Sequence, residues 1–271
     1  MAKTINADRS QYMAKTRPYR EKIKEYLSRE DITSDFLNVE FNVNASLKRI
    51  GLANDMLGLA SNFIILSEVS QSMMRFRNND ALDEARKTLY KVILHLEETV
   101  TNFVDVSFSD YAEKLIAIES VSAEERYLLC RKLGLAVDLL QEAYGKNTKW
   151  RWSFVELEGR CAAVTKNIVD LKVAATNRDT QSPEYVPTVH HLNLIKKLLM
   201  QSANRYRYKY EISTSRIDDF KAGINFLSAL KRIYIVMGES REANEVKKKL
   251  DTWNLKLEAD IKKLDDQRKL R

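Results

Sequence analysis

The chain has 271 residues, of which only seven are Gly and three are Pro, while 44% are hydrophobic. Against average usage of about 7% Gly and about 5% Pro, this composition excludes a sheet-rich fold with many tight turns, and the hydrophobic content excludes a disordered chain. We therefore predict an all-α fold, either an elongated antiparallel helical bundle or a short array of helical hairpins.

The net charge of +7 is unevenly distributed along the chain. Lys and Arg outnumber Asp and Glu by eight to four in residues 1–30 and by nineteen to eleven in residues 191–271, whereas acidic residues are in excess between them. Basic ends around an acidic middle suit a contact with nucleic acid or an anionic surface, and they suit head-to-tail self-association equally well. Charge alone does not choose between these partners.

Two apolar patterns occupy the N-terminal part of the chain. The first helix is predicted to open at Pro18, because proline is favoured in a first helical turn, with Ile23 and Leu27 on one face. The second pattern runs without proline over residues 36–76. It predicts either one long helix or two helices that separate near Val43 or near Gly58.

Polar residues set the predicted boundaries of the next two helices. Residues 78–80 read Asn-Asn-Asp and precede an apolar stripe that reaches Phe103, so a helix is predicted over residues 81–106. Ser107 and Ser109 then start a short predicted helix that extends to residue 120.

A capping box marks the start of the following helix. Ser122 and Glu125 are three residues apart, so each side chain can satisfy the other residue's free backbone N–H, and the helix should begin at Ala123. It should end near Gly145, because glycine tolerates the left-handed conformation that stops a helix. Another helix is predicted over residues 148–176.

Two of the three prolines lie in the segment NRDTQSPEYVP at residues 177–187, which is predicted to be the longest loop. The predicted organisation is an N-terminal helical bundle over residues 1–176, a loop or hinge over residues 177–187, and a C-terminal helical hairpin over residues 188–271 that packs on the first part. In the last helix, apolar residues at steps of three and four predict a seam that faces another helix, within the chain or across a dimer. Its members are Val246, Leu250, Trp253 and Leu257.

Two similar stretches, KRIGLANDML at residues 48–57 and RKLGLAVDLL at residues 131–140, could come from a duplicated helical hairpin or from chance. A shorter match, KAGINFL, begins at Lys221. Glycine inside a helix costs about 1 kcal/mol relative to alanine. If the likeness is a true repeat, we therefore expect another helix to approach closely at Gly51, Gly134 and Gly223.

No motif in the sequence carries a reaction. Seven scattered glycines cannot build the GxGxxG or GxxxxGK[ST] loops that bind phosphate. The histidines His95, His190 and His191 lie in no metal-ligand spacing, and adjacent carboxylate pairs diverge by about 100° on a helix. We therefore expect a protein that is not an enzyme and that holds no cofactor and no metal.

The two cysteines and the apolar runs bear on the compartment. Cys130 and Cys161 each lie in an apolar helical stretch, so buried thiols are expected rather than a disulfide. The polar N-terminus lacks the apolar core of a signal peptide, and about 18 uncharged apolar residues nowhere run together. We expect no membrane span and a cytoplasmic location.

The segment NRYRYKY alternates aromatic residues with three cations, which are Arg205, Arg207 and Lys209. These cations could neutralise phosphates while the tyrosines stack on bases. Alternatively, Tyr206 and Tyr210 share one face of a helix and pack inward, which leaves the cations at a polar rim. We favour the second interpretation and predict that both tyrosines are mostly buried.

Three functions remain open on this sequence. The leading hypothesis is a non-catalytic helical scaffold or assembly protein that binds a protein partner or itself, with the C-terminal seam and the three cations as candidate contact residues. The alternative is a nucleic-acid-binding protein that uses the helix carrying NRYRYKY, which we call the basic-aromatic helix. Its affinity for nucleic acid would then depend steeply on salt. The third hypothesis is an enzyme whose site is assembled from separate helices without a motif.

Overall fold

The protein is described by a computed structural model that covers residues 2–39, 44–145 and 147–269, with side chains for residues 9–37, 44–145 and 147–267. Of the residues in these ranges, 84% are helical and none lies in a strand. The predicted all-α fold is confirmed.

Ten α-helices occur in the described residues, joined in places by short 3₁₀ and π turns. Their bounds are α1 Ala2–Val39, α2 Ala45–Met74, α3 Asn79–Thr99, α4 Ala112–Ile116, α5 Ala123–Tyr144, α6 Arg151–Asn167, α7 Leu171–Thr176, α8 Tyr185–Lys209, α9 Ile217–Val236 and α10 Ser240–Lys269. A 3₁₀ turn covers Phe108–Asp110, and a π turn, Tyr210–Thr214, directly follows α8.

The contacts divide the chain into two compact units, each assembled from separate stretches. Unit 1 comprises the described parts of Met1–Thr101, Ile116–Val121 and Leu128–Phe154, and unit 2 comprises those of Asn102–Leu115, Ser122–Tyr127 and Val155–Arg271. In unit 1, α1 and α3 pack against α2, and in unit 2, α8 and α10 pack against α9. The predicted hinge at residues 177–187 lies inside unit 2. The predicted division into residues 1–176 and residues 188–271 remains a prediction.

The first helix was predicted to begin at Pro18. In the structure α1 begins at Ala2, and Pro18 lies in its interior. Proline in a helix interior costs about 3 kcal/mol, so packing must compensate for this residue. Leu27, which the sequence placed on the buried face, is exposed. The inward face instead carries buried and half-buried residues at steps of four and three, and these are Tyr12, Thr16, Tyr19, Ile23 and Tyr26.

Two positions were predicted for a helix break within residues 36–76, and the structure tests only one of them. The predicted break near Val43 falls on residues 40–43, which lie outside the described residues. The predicted break at Gly58 is wrong, because α2 continues through it. A Cβ atom at this position would lie 2.5 Å from the hydroxyl oxygen of Tyr26. Gly58 therefore lets the α1 tyrosine pack against α2 without ending the helix.

Two predicted helices are too long. The helix predicted over residues 81–106 ends at Thr99, and Phe103 is exposed in the segment that follows. The helix predicted over residues 148–176 begins at Arg151 and is interrupted after Asn167, since the carboxylate of Asp170 caps a new helix by accepting from the backbone N–H groups of the second and third residues after it. The predicted helix is therefore divided because Asp170, a polar residue within an apolar run, acts as the N-cap of α7.

Several predicted boundaries are confirmed. The Asn78 side chain accepts from the Ala81 N–H at 3.1 Å at the start of α3. In the predicted capping box, Glu125 accepts from the Ser122 N–H at 2.9 Å, and Ser122 Oγ accepts from the Glu125 N–H at 3.2 Å. Gly145 follows α5 with a φ of 77°. The loop predicted over residues 177–187 spans residues 177–184, and the missed segment at residues 100–107 is equally long.

The expected close approach is correct for one of the three helical glycines. At Gly223 a Cβ atom would lie 3.0 Å from the carbonyl oxygen of Ala203 in α8, so α8 and α9 pack with close backbones. At Gly51 and Gly134, no atom from elsewhere in the described part of the chain lies within 4 Å of that position. The shared glycine therefore marks no close helix contact in the two longer similar stretches.

Candidate functional site

The aromatic residues of NRYRYKY divide between the core and the surface of unit 2. Tyr210 is buried, as predicted, and stacks on Phe220 with ring centroids 4.9 Å apart and planes 6° apart. Tyr206 is also mostly buried, as predicted, and stacks on Phe226 with ring centroids 5.5 Å apart. Tyr208 is exposed. The structure therefore does not present these rings together on one surface.

The three predicted cations all lie beside carboxylates of unit 2. Arg205 Nε lies 2.9 Å from Glu158 Oε2, Arg207 Nε lies 2.8 Å from Glu211 Oε1, and Lys209 Nζ lies 2.7 Å from Asp219 Oδ1. A phosphate group at this surface would have to displace these intramolecular partners. The arrangement suits a rim of ion pairs around a packed helix more than an open cationic platform.

The C-terminal seam is part of the core of unit 2. Val246, Leu250 and Trp253 are buried, whereas Leu257 is only partly buried. The Trp253 ring lies 5.6 Å from the ring of Phe220, measured between centroids. The seam thus faces a helix within the chain along its first half, and these buried side chains are not a surface available to a partner.

A buried polar cluster that was not predicted from the sequence lies where α6 ends. Every residue from 161 to 169 is buried, and Lys166 is only 2% exposed. Its Nζ donates to Asn167 Oδ1 at 2.7 Å and lies 5.2 Å from the centroid of the Tyr111 ring. Burial lowers the pKa of Lys166 to about 8, with the nearby Asp105 carboxylate acting in the opposite direction. The signal in the sequence was a lysine inside the apolar run CAAVTKNIV.

The same cluster attaches the segment before α4 to the rest of unit 2. The Asn167 side chain donates to the Phe103 carbonyl at 3.0 Å, and Arg232 Nε lies 2.9 Å from Asp105 Oδ1. The buried hydroxyl of Tyr111 has no hydrogen-bond partner among the described residues, and burial raises its pKa. These groups are enclosed, so the arrangement supports anchoring of a loop more directly than turnover of a substrate.

The histidines have separate environments. The buried ring of His191 lies with Nε2 3.0 Å from the Thr165 carbonyl oxygen, so the neutral imidazole donates this hydrogen bond. Burial lowers the pKa of His191 to about 4. His190 is exposed, and burial lowers the pKa of the half-buried His95. Within the described residues, no group of three or more His, Cys, Asp or Glu side chains could hold a metal ion.

A stripe of exposed leucines runs along α5 in unit 1, and we call it the α5 leucine stripe. Leu128, Leu135 and Leu139 are 37%, 51% and 46% exposed, and their spacing of seven and four residues places them on one face of the helix. Lys132 and Asp138 are exposed beside them. Large apolar side chains grouped on a solvent-facing helix are typical of a contact surface.

Helix α2 is long and apolar enough to cross a membrane by length and hydropathy alone. Of its most apolar 18-residue window, 56% is buried inside the protein, as in the core helix of a globular unit. This feature is weak evidence for a membrane span.

The comparisons with known proteins identify a family. Neither the comparison with curated proteins nor the comparison with solved structures gave a match. Residues 8–261 match the TP0443 family, so the similarity extends through both compact units. The chain therefore belongs to the TP0443 family.

Proposed function

We propose that this protein is a cytoplasmic, non-catalytic helical scaffold that binds a protein partner, either a different protein or a further copy of itself. The α5 leucine stripe is the observation that carries this proposal. Its three leucines are each about half exposed, so covering them would contribute roughly 1 kcal/mol per residue. The capping box and the glycine stop make α5 a well-defined helix on which to present them.

The two other functions have less support in the geometry. Nucleic-acid binding by the basic-aromatic helix would require cations that already lie beside carboxylates of unit 2 to exchange those partners for phosphates. A catalytic role for Lys166 would require a substrate to reach an amine that is almost completely enclosed. The two cysteines are buried thiols that form no disulfide, which suits a reducing compartment and supports the cytoplasmic assignment.

Site-specific photocrosslinking in cells tests the proposal. A benzophenone amino acid placed at position 135 should produce a crosslinked product with a protein partner of either kind, because the side chain projects from the α5 leucine stripe. The matched control is the same probe at Lys87, an exposed position on α3 away from an apolar stripe. A product at neither position, or equal products at both, would contradict the proposal.

A further inference from the structure

A stripe of four cations and two apolar residues runs along an exposed side of α1 in unit 1, and we call it the α1 basic stripe. Its members recur at steps of three and four, which places them on one face of the helix, and all of them are exposed. They are Arg9, Met13, Arg17, Arg20, Lys24 and Leu27. At 1.5 Å per residue the stripe is about 27 Å long.

Most of the positive charge of the stripe is not neutralised within the described part of the chain. Glu21 lies at one edge of the stripe, with Oε1 2.8 Å from Arg17 Nε, and both side chains are strongly exposed, so this pair is weak. Arg20 Nε lies 3.5 Å from the uncharged hydroxyl of Thr16. Among the described residues, no carboxylate forms an ion pair with Lys24. The stripe therefore presents an excess of positive charge to solvent.

A groove of about 420 Å³ lies along the middle of the stripe. Its lining residues are Met13, Ala14, Arg17, Arg20, Glu21 and Lys24. Met13, Ala14 and the alkyl stems of the cations supply apolar surface, while the guanidinium and ammonium groups supply hydrogen-bond donors. Guanidinium groups bind phosphate oxygens through two parallel hydrogen bonds. This combination suits a phosphate group that is attached to an apolar body.

We propose that the α1 basic stripe binds the surface of a membrane rich in anionic phospholipids, with a headgroup phosphate in the groove. A cluster of about four to eight cations on a helix is typical of such a contact. Met13 and Leu27 are 53% and 41% exposed, so lipid would cover apolar surface that folding leaves in water. This is a further function, and it does not depend on the α5 leucine stripe.

The composition of the stripe favours lipid over nucleic acid. Single-stranded nucleic acid binds where exposed aromatic rings stack on bases beside cations. The aromatic residues of α1 next to the stripe point inward instead, since Tyr12 is buried and the mostly buried Tyr19 and Tyr26 pack against the cluster that includes Ile23. A lipid surface requires only exposed cations and apolar side chains, which the stripe has.

Co-sedimentation of the purified full chain with vesicles measures the contact. The chain should bind vesicles of phosphatidylcholine and phosphatidylserine in equal amounts, should not bind phosphatidylcholine alone, and should be released as salt is raised. Arg20→Gln combined with Lys24→Gln should weaken binding by about 25-fold, at about fivefold for each cation. The matched control combines Lys15→Gln with Lys22→Gln, which removes the same charge from exposed positions outside the stripe and should change binding only slightly.

A fluorescent probe tests which side of α1 meets the lipid. An environment-sensitive NBD dye attached to Met13→Cys should shift to the blue with the phosphatidylserine vesicles, whereas the same dye on Lys15→Cys should not. The native Cys130 and Cys161 are buried, so the unmodified chain gives the background, and circular dichroism should show that all variants are folded.

Four results would overturn the proposal. These are no binding to the phosphatidylserine vesicles, equal loss of binding in the two charge variants, equal dye shifts at positions 13 and 15, and complete competition by soluble glycerophosphoserine, which would indicate a site for a free anion. Binding of duplex DNA without binding of vesicles would assign the stripe to nucleic acid instead. Photocrosslinking at position 135 tests the protein partner separately, so the scaffold function stands or fails independently of these results.

Discussion

The hydroxyl group of Tyr26 in α1 occupies the space into which a side chain at position 58 of α2 would project. A Cβ atom at Gly58 would lie 2.5 Å from the Tyr26 hydroxyl oxygen and 2.6 Å from the ring carbon that carries it. Tyr26 packs against the buried cluster that includes Ile23 and Leu59. The missing side chain at Gly58 thus determines how closely α1 and α2 approach in unit 1.

We predict opposite effects of alanine at two glycines of α2. Gly58→Ala should lower the free energy of unfolding by about 1–3 kcal/mol, because the new methyl group overpacks the contact with Tyr26. Gly51→Ala is the matched control, since its surroundings are open, and it should raise the free energy of unfolding by up to about 1 kcal/mol. Urea denaturation followed by circular dichroism measures both, and a stabilising Gly58→Ala would contradict the described packing.

The C-terminal seam should behave as core along its first half. Trp253→Ala should cost about 3–5 kcal/mol of stability, because it empties a buried aromatic site against Phe220. Leu257→Ala, at a partly buried position of the same seam, should cost about 1 kcal/mol. Thermal unfolding compares the two variants. Release of a stable, folded monomer by Trp253→Ala would show instead that the seam joins two copies.

Lys166 should make stability depend on pH between about 8 and 10. Its pKa is about 8 in the folded protein and near 10.5 when unfolded, so within this interval the unfolded chain binds more protons and stability rises with pH. The rise from this group should reach about 2 kcal/mol. Lys166→Met should remove it, as measured by urea denaturation at a series of pH values. An unchanged pH profile in the variant would show that Lys166 titrates normally.

Above about pH 10, the ionisation of tyrosine is expected to reverse the rise in stability with pH. Burial raises the pKa of Tyr111 in the folded state, so above pH 10 the unfolded chain releases a proton that the folded chain retains, and stability falls. Tyr111→Phe in the Lys166→Met background is the corresponding control, because it removes this second dependence while keeping the ring.

In the basic-aromatic helix, charge reversal at Lys209 should lower stability, whereas charge reversal at Arg207 should have little effect on it. Lys209→Glu places a carboxylate against the mostly buried Asp219 and should cost about 2 kcal/mol or more. Arg207→Glu changes a more exposed pair and should alter stability by less than about 1 kcal/mol. Both variants should change association with a partner more than binding to nucleic acid.

Fluorescence anisotropy with single-stranded DNA at physiological salt tests the rival function on the same helix. We expect no binding at micromolar concentrations, because the cations lie beside carboxylates of unit 2. Micromolar binding that Arg207→Glu abolishes, with the protein still folded, would favour the nucleic-acid hypothesis over the scaffold.

The sequence by itself determined the fold class and the helix ends that depend on local chemistry. A shortage of glycine and proline is a property of composition, and the Ser122–Glu125 capping box and the stop at Gly145 involve residues only a few positions apart. Such features need no knowledge of distant partners. The buried state of Tyr210 and of the first half of the seam also followed from helical periodicity.

Only the tertiary structure decided which helix faces are covered. Pro18 is tolerated within α1 because a long inward face packs on α2, and Gly58 continues a helix because Tyr26 fills the space beside it. The enclosure of Lys166 and the exposure of Leu135 likewise depend on neighbours that are distant in sequence. The free energy gained by burial depends on both surfaces of a contact. The amphipathic pattern of one helix does not identify the surface that covers its apolar face.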